Sequence, residues 1–290
     1  MKSMNRREFL SRSLVSASVA GVAAQGASLG VASAATRMRF GLVTYLWGEK
    51  WDLSMLIQNC EASDVLGVEL RTTHAHGVER ELTKKQRGEV AKRFADSQVT
   101  HVGIGSNENF DAPSARKLAR SIEATKEFIL LSHDTGGSGV KVKPNSFHEG
   151  VDHQVTIEQI GKSLNELGAF GADHGQEIRL EVHGQCQRLP IIKEIMDIAD
   201  HPNVAVCWNS NAEDLLDGGL ESNFDLVKGR FGATAHVREF NVGVYPYAEL
   251  MKLFVGMDYD GWVLMEARTR PEDGIAALIE QREVFETLTS

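Results

Sequence analysis

Eight apolar runs of strand length recur along the chain, with segments of helical periodicity between them, and this alternation constrains the fold more than any other feature. The runs are "MRFGLVTYLWG", "LGVELR", "VTHVGIGSNENF", "GVKVKPNSF", "IRLEVHGQ", "VAVCWNSN", "GATAHVREF" and "GWVLMEAR". Short apolar runs bounded by Gly, Asn or charged residues suit strands buried on both faces. Helical patterns fall near 52–63, 83–97, 113–133, 152–173, 189–199, 245–257 and 272–287, with a weaker and shorter connection at 213–229. Asp52 and Thr83 mark two helix starts, Pro113 marks another as a first helical residue, and Pro271 followed by Glu272 and Asp273 marks the last. Strands alternating with helices imply a parallel sheet. An open doubly wound sheet usually shows a glycine-rich first turn, and no G-x-G-x-x-G follows the first run. Gly103 and Gly105 in "GIGSNENF" are a weak signal, and "DTGGSG" (134–139) reads as a turn into the fourth strand, because no helix start follows it. The expected fold is α/β, a single closed (β/α)8 TIM barrel over residues 36–290.

The first 35 residues stand apart: Arg6 and Arg7 precede a weakly apolar run rich in Ala, Gly and Ser that ends in Ala32-x-Ala34. That order reads as a twin-arginine signal peptide, removed on export to the periplasm or its equivalent. Gln25 and several glycines interrupt the run, which is too mildly apolar for a membrane span, and no cysteine follows it to carry a lipid. Without residues 1–35 the 31 basic and 40 acidic residues become 27 and 39, a net charge of about −12. An acidic domain with no basic cluster argues against nucleic acid as a partner, because phosphate contacts need concentrated Lys and Arg. Cys60, Cys186 and Cys207 are too few and too scattered for a disulfide framework, so the core carries the stability. The oligomeric state is left open.

In a barrel of this kind the active site lies at the carboxyl ends of the strands. Four consecutive runs each place a donor there: Glu181, Asn209, His236 and Glu266. A divalent cation such as Mn²⁺, Mg²⁺, Co²⁺ or Zn²⁺ accepts that mixture of carboxylate, amide oxygen and imidazole. His183 follows Glu181 by two residues and so shares its face. Glu69, His74, Asn107, Lys141, Asn211 and Arg238 are further polar residues at strand ends and the candidates for substrate binding. The alternative is that these groups pair with one another; Arg238 is expected to pair with Glu239 rather than to bind a phosphate. Tyr45, Trp47 and Trp208 either stack on a sugar ring or pack the barrel mouth. Cys207 is expected to point into the barrel as a small apolar filler.

The motifs "LEVHG", "VCWNSN", "AHVREF" and "LMEAR" resemble the xylose isomerase-like superfamily of barrels, the group of sugar phosphate isomerases/epimerases. The resemblance runs from "FGLVTYLWG" to the final helix. It implies that Glu181, Asn209, His236 and Glu266 hold a divalent metal, with Asn209 departing from the usual Asp and leaving the ligand set one negative charge short. It also implies acid/base roles for Glu181 and Glu266, with His183 facing a sugar hydroxyl. The implied reaction is isomerisation or epimerisation of an unphosphorylated sugar, keto-sugar or cyclitol by proton abstraction beside a carbonyl. Two alternatives stand beside it: a 3-oxo-glycoside lyase or dehydratase, and a non-catalytic sugar-binding barrel with a weakened metal site.

Overall fold

The strands are β1 (Arg39–Val43), β2 (Gly67–Arg71), β3 (Thr100–Asn109), β4 (Gly139–Lys143), β5 (Glu177–Glu181), β6 (Val204–Asn209), β7 (Phe231–Val237) and β8 (Trp262–Met265). They pair in chain order as parallel neighbours, and β8 pairs with β1 to close the barrel. The helices are α1 (Leu53–Ser63), α2 (Lys84–Ala95), α3 (Ala115–Thr135), α4 (His153–Asp173), α5 (Leu189–Ile198), α6 (Gly219–Val227), α7 (Tyr247–Gly256) and α8 (Gly274–Thr289). The structure is a computed structural model that describes residues 37–290, so the expected signal segment lies outside the described residues. Among the described residues no helix is long and apolar enough to cross a membrane.

The caps explain where the helices start. The Asp52 side chain accepts the Met55 N–H, and Thr83 and Gln86 form a capping box, as their positions predict. Pro113 and Pro271 lie outside their helices instead: Ser114 caps α3 through the Lys117 N–H, and Asp273 caps α8 through the Ile275 and Ala276 N–H groups. Side-chain oxygens that take up orphan amides set these two ends, and the prolines only shape the approach to them. The weak connection at 213–229 is α6 flanked by two single 3-10 turns, Ala212–Leu215 and Lys228–Arg230.

The main apolar core, with fully buried Leu56, Leu70, Ile104, Ile129, Ile160, Phe224 and Phe254, lies between sheet and helices. A second, smaller cluster of Val43, Val102, Trp262 and Leu264 fills the barrel interior. Beside it the inner face of β5 carries polar residues at alternate positions, Glu177, Arg179 and Glu181. Arg179 is fully buried yet satisfied: it pairs with Glu177 at 2.8 Å and donates to the Val102 carbonyl and the Ser138 hydroxyl. Gly103 and Gly105 make room for such groups. A Cβ at Gly103 would lie 2.9 Å from Arg179 Nη1, and one at Gly105 would lie 2.7 Å from Glu69 Oε1.

Candidate active site

Strand parity and register bring Glu181, His236 and Glu266 together at the carboxyl end of the barrel, each offering a ligand atom within 4.8 Å of the others. Their exposures are 1 %, 0 % and 7 %. Asn209 pairs in register with His236, and its Nδ2 donates to Glu181 Oε1 at 2.8 Å. His236 Nδ1 lies 3.8 Å from that same oxygen, while Nε2 lies 3.3 Å from Glu69 Oε1. Lys141 Nζ sits 2.8 Å from Glu181 Oε2 and donates to the Ser106 carbonyl at 3.2 Å. Three buried carboxylates therefore share the interior with one buried ammonium and one imidazole, which is how charges of this kind persist away from water.

The titration behaviour follows from that arrangement. Burial works against the charged forms of Glu69 and Glu181, but His236 and Lys141 outweigh it and hold Glu69 below the ordinary carboxylate range and Glu181 well below it. Lys141 is held above the usual ammonium value against its burial, by Glu181, Glu69 and Glu266. His236 lies well above the ordinary imidazole value despite burial, through the Cys207 sulfur, Glu69 and Glu181. Glu266 goes the other way: burial and then repulsion from Glu181 raise its pKa. The two carboxyls nearest the centre are thus split, one kept ionised and one inclined to hold a proton.

Whether these residues fit a metal is answered by their unspent atoms. Glu181 Oε2, Asn209 Oδ1, His236 Nδ1 and Glu266 Oε2 are all buried and lack a hydrogen-bond partner. Lys141 approaches Glu181 Oε2 as an ion pair without hydrogen-bond alignment. An orphaned buried acceptor costs about 1–3 kcal/mol, and a cation bound among these atoms would satisfy several of them at once. Two carboxylates, an amide oxygen and an imidazole suit a hard or borderline divalent ion.

The remaining predicted residues divide into two groups. His183 is half-buried one pleat above Glu181, with Nδ1 unpartnered rather than bonded to a loop carbonyl. Asn107 accepts from Arg71 Nη2 at 3.2 Å and from Lys143 Nζ at 3.0 Å, and His74 Nε2 lies 3.1 Å from Arg71 Nη1. Glu69, by contrast, is completely buried against His236. Asn211 is occupied with structure: Nδ2 donates to the Val182 and Asn209 carbonyls, and Oδ1 accepts from Arg238 at 3.1 Å. The expected Arg238–Glu239 pair does not form. Glu239 is taken instead by the backbone N–H groups of Arg268 and Thr269 and by the Thr269 hydroxyl, donors that the loop after β8 already holds in place.

Trp208 is packing, fully buried against Phe224 and Phe231, and Trp47 is tied by Nε1 to the Thr269 carbonyl. Tyr45 stands half-buried with the guanidinium groups of Arg71 and Arg268 over its ring, at 5.2 Å and 5.6 Å. Cys207 is buried and accepts from the Thr234 hydroxyl at 3.5 Å. Lys143, a polar residue at the end of the fourth run, also reaches the mouth, and so does Arg71, whose signal in the sequence is its place two residues beyond the inward Glu69.

Residues 57–211 match the family described as xylose isomerase-like TIM barrel. The chain belongs to that family. This xylose isomerase-like barrel is also similar to solved structures. The 3-keto-D-glucoside 4-epimerase YcjR from E. coli superposes with a TM-score of 0.73 at 13 % identity, covering 86 % of this chain and 99 % of that one. An L-ribulose 3-epimerase gives 0.74 at 14 %, covering 87 % and 94 %. An IolI protein with a binding zinc atom gives 0.74 at 15 %, covering 87 % and 98 %. At these identities the likeness establishes the shared fold. No curated protein matched the chain.

Proposed function

We propose that this xylose isomerase-like barrel is a metal-dependent enzyme that removes the proton beside a carbonyl of an unphosphorylated sugar, keto-sugar or cyclitol, giving isomerisation or epimerisation. The observation that carries the reading is the convergence of Glu181, His236 and Glu266 within 4.8 Å, beside an Asn209 Oδ1 with no partner of its own. Structural neighbours whose names include a keto-glucoside epimerase and a ribulose epimerase support it. Glu181, Asn209, His236 and Glu266 would hold the cation, which when bound supplies Lewis-acid stabilisation of negative charge developing on substrate oxygens.

The chain's own residues supply the rest. Lys141 keeps Glu181 ionised and so able to accept a carbon-bound proton. Glu266, whose carboxyl faces the same centre as Glu181, is the second carboxylate, able to give a proton to the carbon that Glu181 has deprotonated. His183, with its unpartnered Nδ1, is placed to bond a substrate hydroxyl above Glu181. We place the reaction outside the cytoplasm on the Arg6–Arg7 signal pattern; changing both to Lys should leave the precursor inside the cell.

The test has two steps. Protein purified without added metal is first submitted to elemental analysis. Solvent deuterium incorporation into a panel of keto-sugars is then followed with and without chelator. Glu266→Gln should keep the fold and slow formation of the isomerised or epimerised product by roughly 10²–10⁴-fold, with saturating Mn²⁺ failing to restore it. A Glu266→Gln protein that forms product like the parent would remove the second carboxylate from the mechanism.

A further inference from the structure

One half of the barrel mouth carries two cationic side chains that form no ion pair among the described residues. Arg71 ends β2, Lys143 ends β4, and Asn107 lies on β3 between them. Arg71 Nη2 and Lys143 Nζ converge on a single neutral oxygen, Asn107 Oδ1, at 3.2 Å and 3.0 Å. Both side chains are half-buried, and neither is in an ion pair among the described residues. The other contacts of Arg71 are neutral too, His74 Nε2 at 3.1 Å and the face of Tyr45.

Two like charges gathered on one amide oxygen repel each other. Burial, and then the neighbouring Lys141, already hold the Lys143 ammonium below its ordinary pKa. Arg80, Lys92, Lys162 and Arg270 each have an acidic partner at the surface, whereas these two half-buried cations converge on a neutral oxygen. The donors for the cation come from β5–β8, so the unpaired charges face the other half of the same mouth.

We infer that Arg71, Asn107 and Lys143 form a subsite for a carboxylate, so that the substrate is a sugar acid. This rests on the proposed function and names its substrate class. A carboxylate has two oxygens to offer, one for the guanidinium and one for the ammonium, and Asn107 holds both donors in place for it. A phosphate would call for additional backbone amides, as at a helix N-terminus. Here the N-termini of α2, α3 and α4 are already capped by Thr83, Ser114 and Asp152, and Asp152 is itself anionic.

The test is calorimetric titration of the full protein, with and without Mn²⁺, using D-glucuronate, D-galacturonate and D-gluconate. D-glucose, D-galactose and D-glucose 6-phosphate serve as controls. At least one acid should bind tenfold or more tightly than its neutral counterpart, about the effect of one charge-assisted contact. That preference should vanish in Arg71→Gln and in Lys143→Met, while Mn²⁺ affinity and thermal midpoint stay at parental values. Lys143→Arg should keep part of the preference, which guards against a folding artefact.

Acids binding no better than neutral sugars, or a preference that survives in both variants, would overturn the subsite. Tighter binding of glucose 6-phosphate than of every acid would overturn the carboxylate assignment. The parent reading fails separately. Acid binding that depends on Arg71 and Lys143, with no Mn²⁺ bound and no deuterium exchange, keeps the subsite and removes the metal enzyme; exchange confined to neutral sugars does the reverse.

Discussion

Asn209 meets two demands that an aspartate in its place would set against each other. Its Nδ2 donates to Glu181 Oε1, while Oδ1 stays free for a cation. An aspartate would add a further negative charge to a cluster of Glu69, Glu181 and Glu266 held by Lys141 and His236, and would remove the donor to Glu181. Asn209→Asp should therefore raise Mn²⁺ affinity on the order of tenfold by calorimetry, since added ligand charge tightens such sites. It should also lower the thermal midpoint in chelator. Unchanged affinity would put residue 209 outside the coordination shell. The donors on the last four strands were legible in the sequence because each ends a strand at inward parity. Their interactions were not: the Lys141–Glu181 pair and the Asn209 amide bond depend on register between strands, which residue pattern alone does not set. Arg238 shows the same gap, since its neighbour Glu239 was claimed by amides from a distant loop.

At the scale of elements, the alternation of strand and helix was legible because burial on both faces imposes nearly continuous apolar runs. The polar inner face of β5 was legible only in its upper half; Arg179 reads as a stray charge until Glu177, Ser138 and the space over Gly103 and Gly139 are seen around it. Close packing across the strands has a comparable hidden constraint at the start of β2. A Cβ on Gly67 would lie 2.2 Å from Trp262 Cζ3, and the indole is itself pinned inside the barrel with the Arg39 guanidinium 4.4 Å from its ring centroid. Gly67→Ala should lower stability by about 1–3 kcal/mol, the usual range for overpacking a filled core. Urea unfolding should show a lower midpoint with an unchanged slope. Gly67→Ala/Trp262→Leu should lose less than the sum of the two single changes, because the clash is removed. Strict additivity would mean that the indole moves aside at little cost.

For the molecule as a whole, buried titratable groups outside the site make stability depend on pH in two opposing ways. Burial pushes His76 and His101 down to about 4 from the ordinary 6.5. Below 6.5 the unfolded chain takes up protons that the folded one refuses, so their contribution is lost as pH falls from 6.5 towards 4. Asp214 acts in the opposite direction. Burial raises its carboxyl from 3.8 to about 7, although Oδ2 accepts from the Asn211 N–H at 2.8 Å and from the Tyr245 hydroxyl at 2.7 Å. Its folded pKa is above the unfolded one, so the folded state holds the proton longer and stability declines as pH rises from 3.8 through 7. The shift corresponds to about 4 kcal/mol between the two ends of that window. Asp214→Asn keeps an oxygen for both donors but has no charge to bury. Urea unfolding of parent and variant at pH 4 and pH 8 should therefore show the variant gaining on the parent as pH rises, by an amount of that order. A variant-to-parent difference that stays flat from pH 4 to pH 8 would mean that Asp214 is ionised in the fold at the lower pH, with its charge met by Tyr245 and the turn amides.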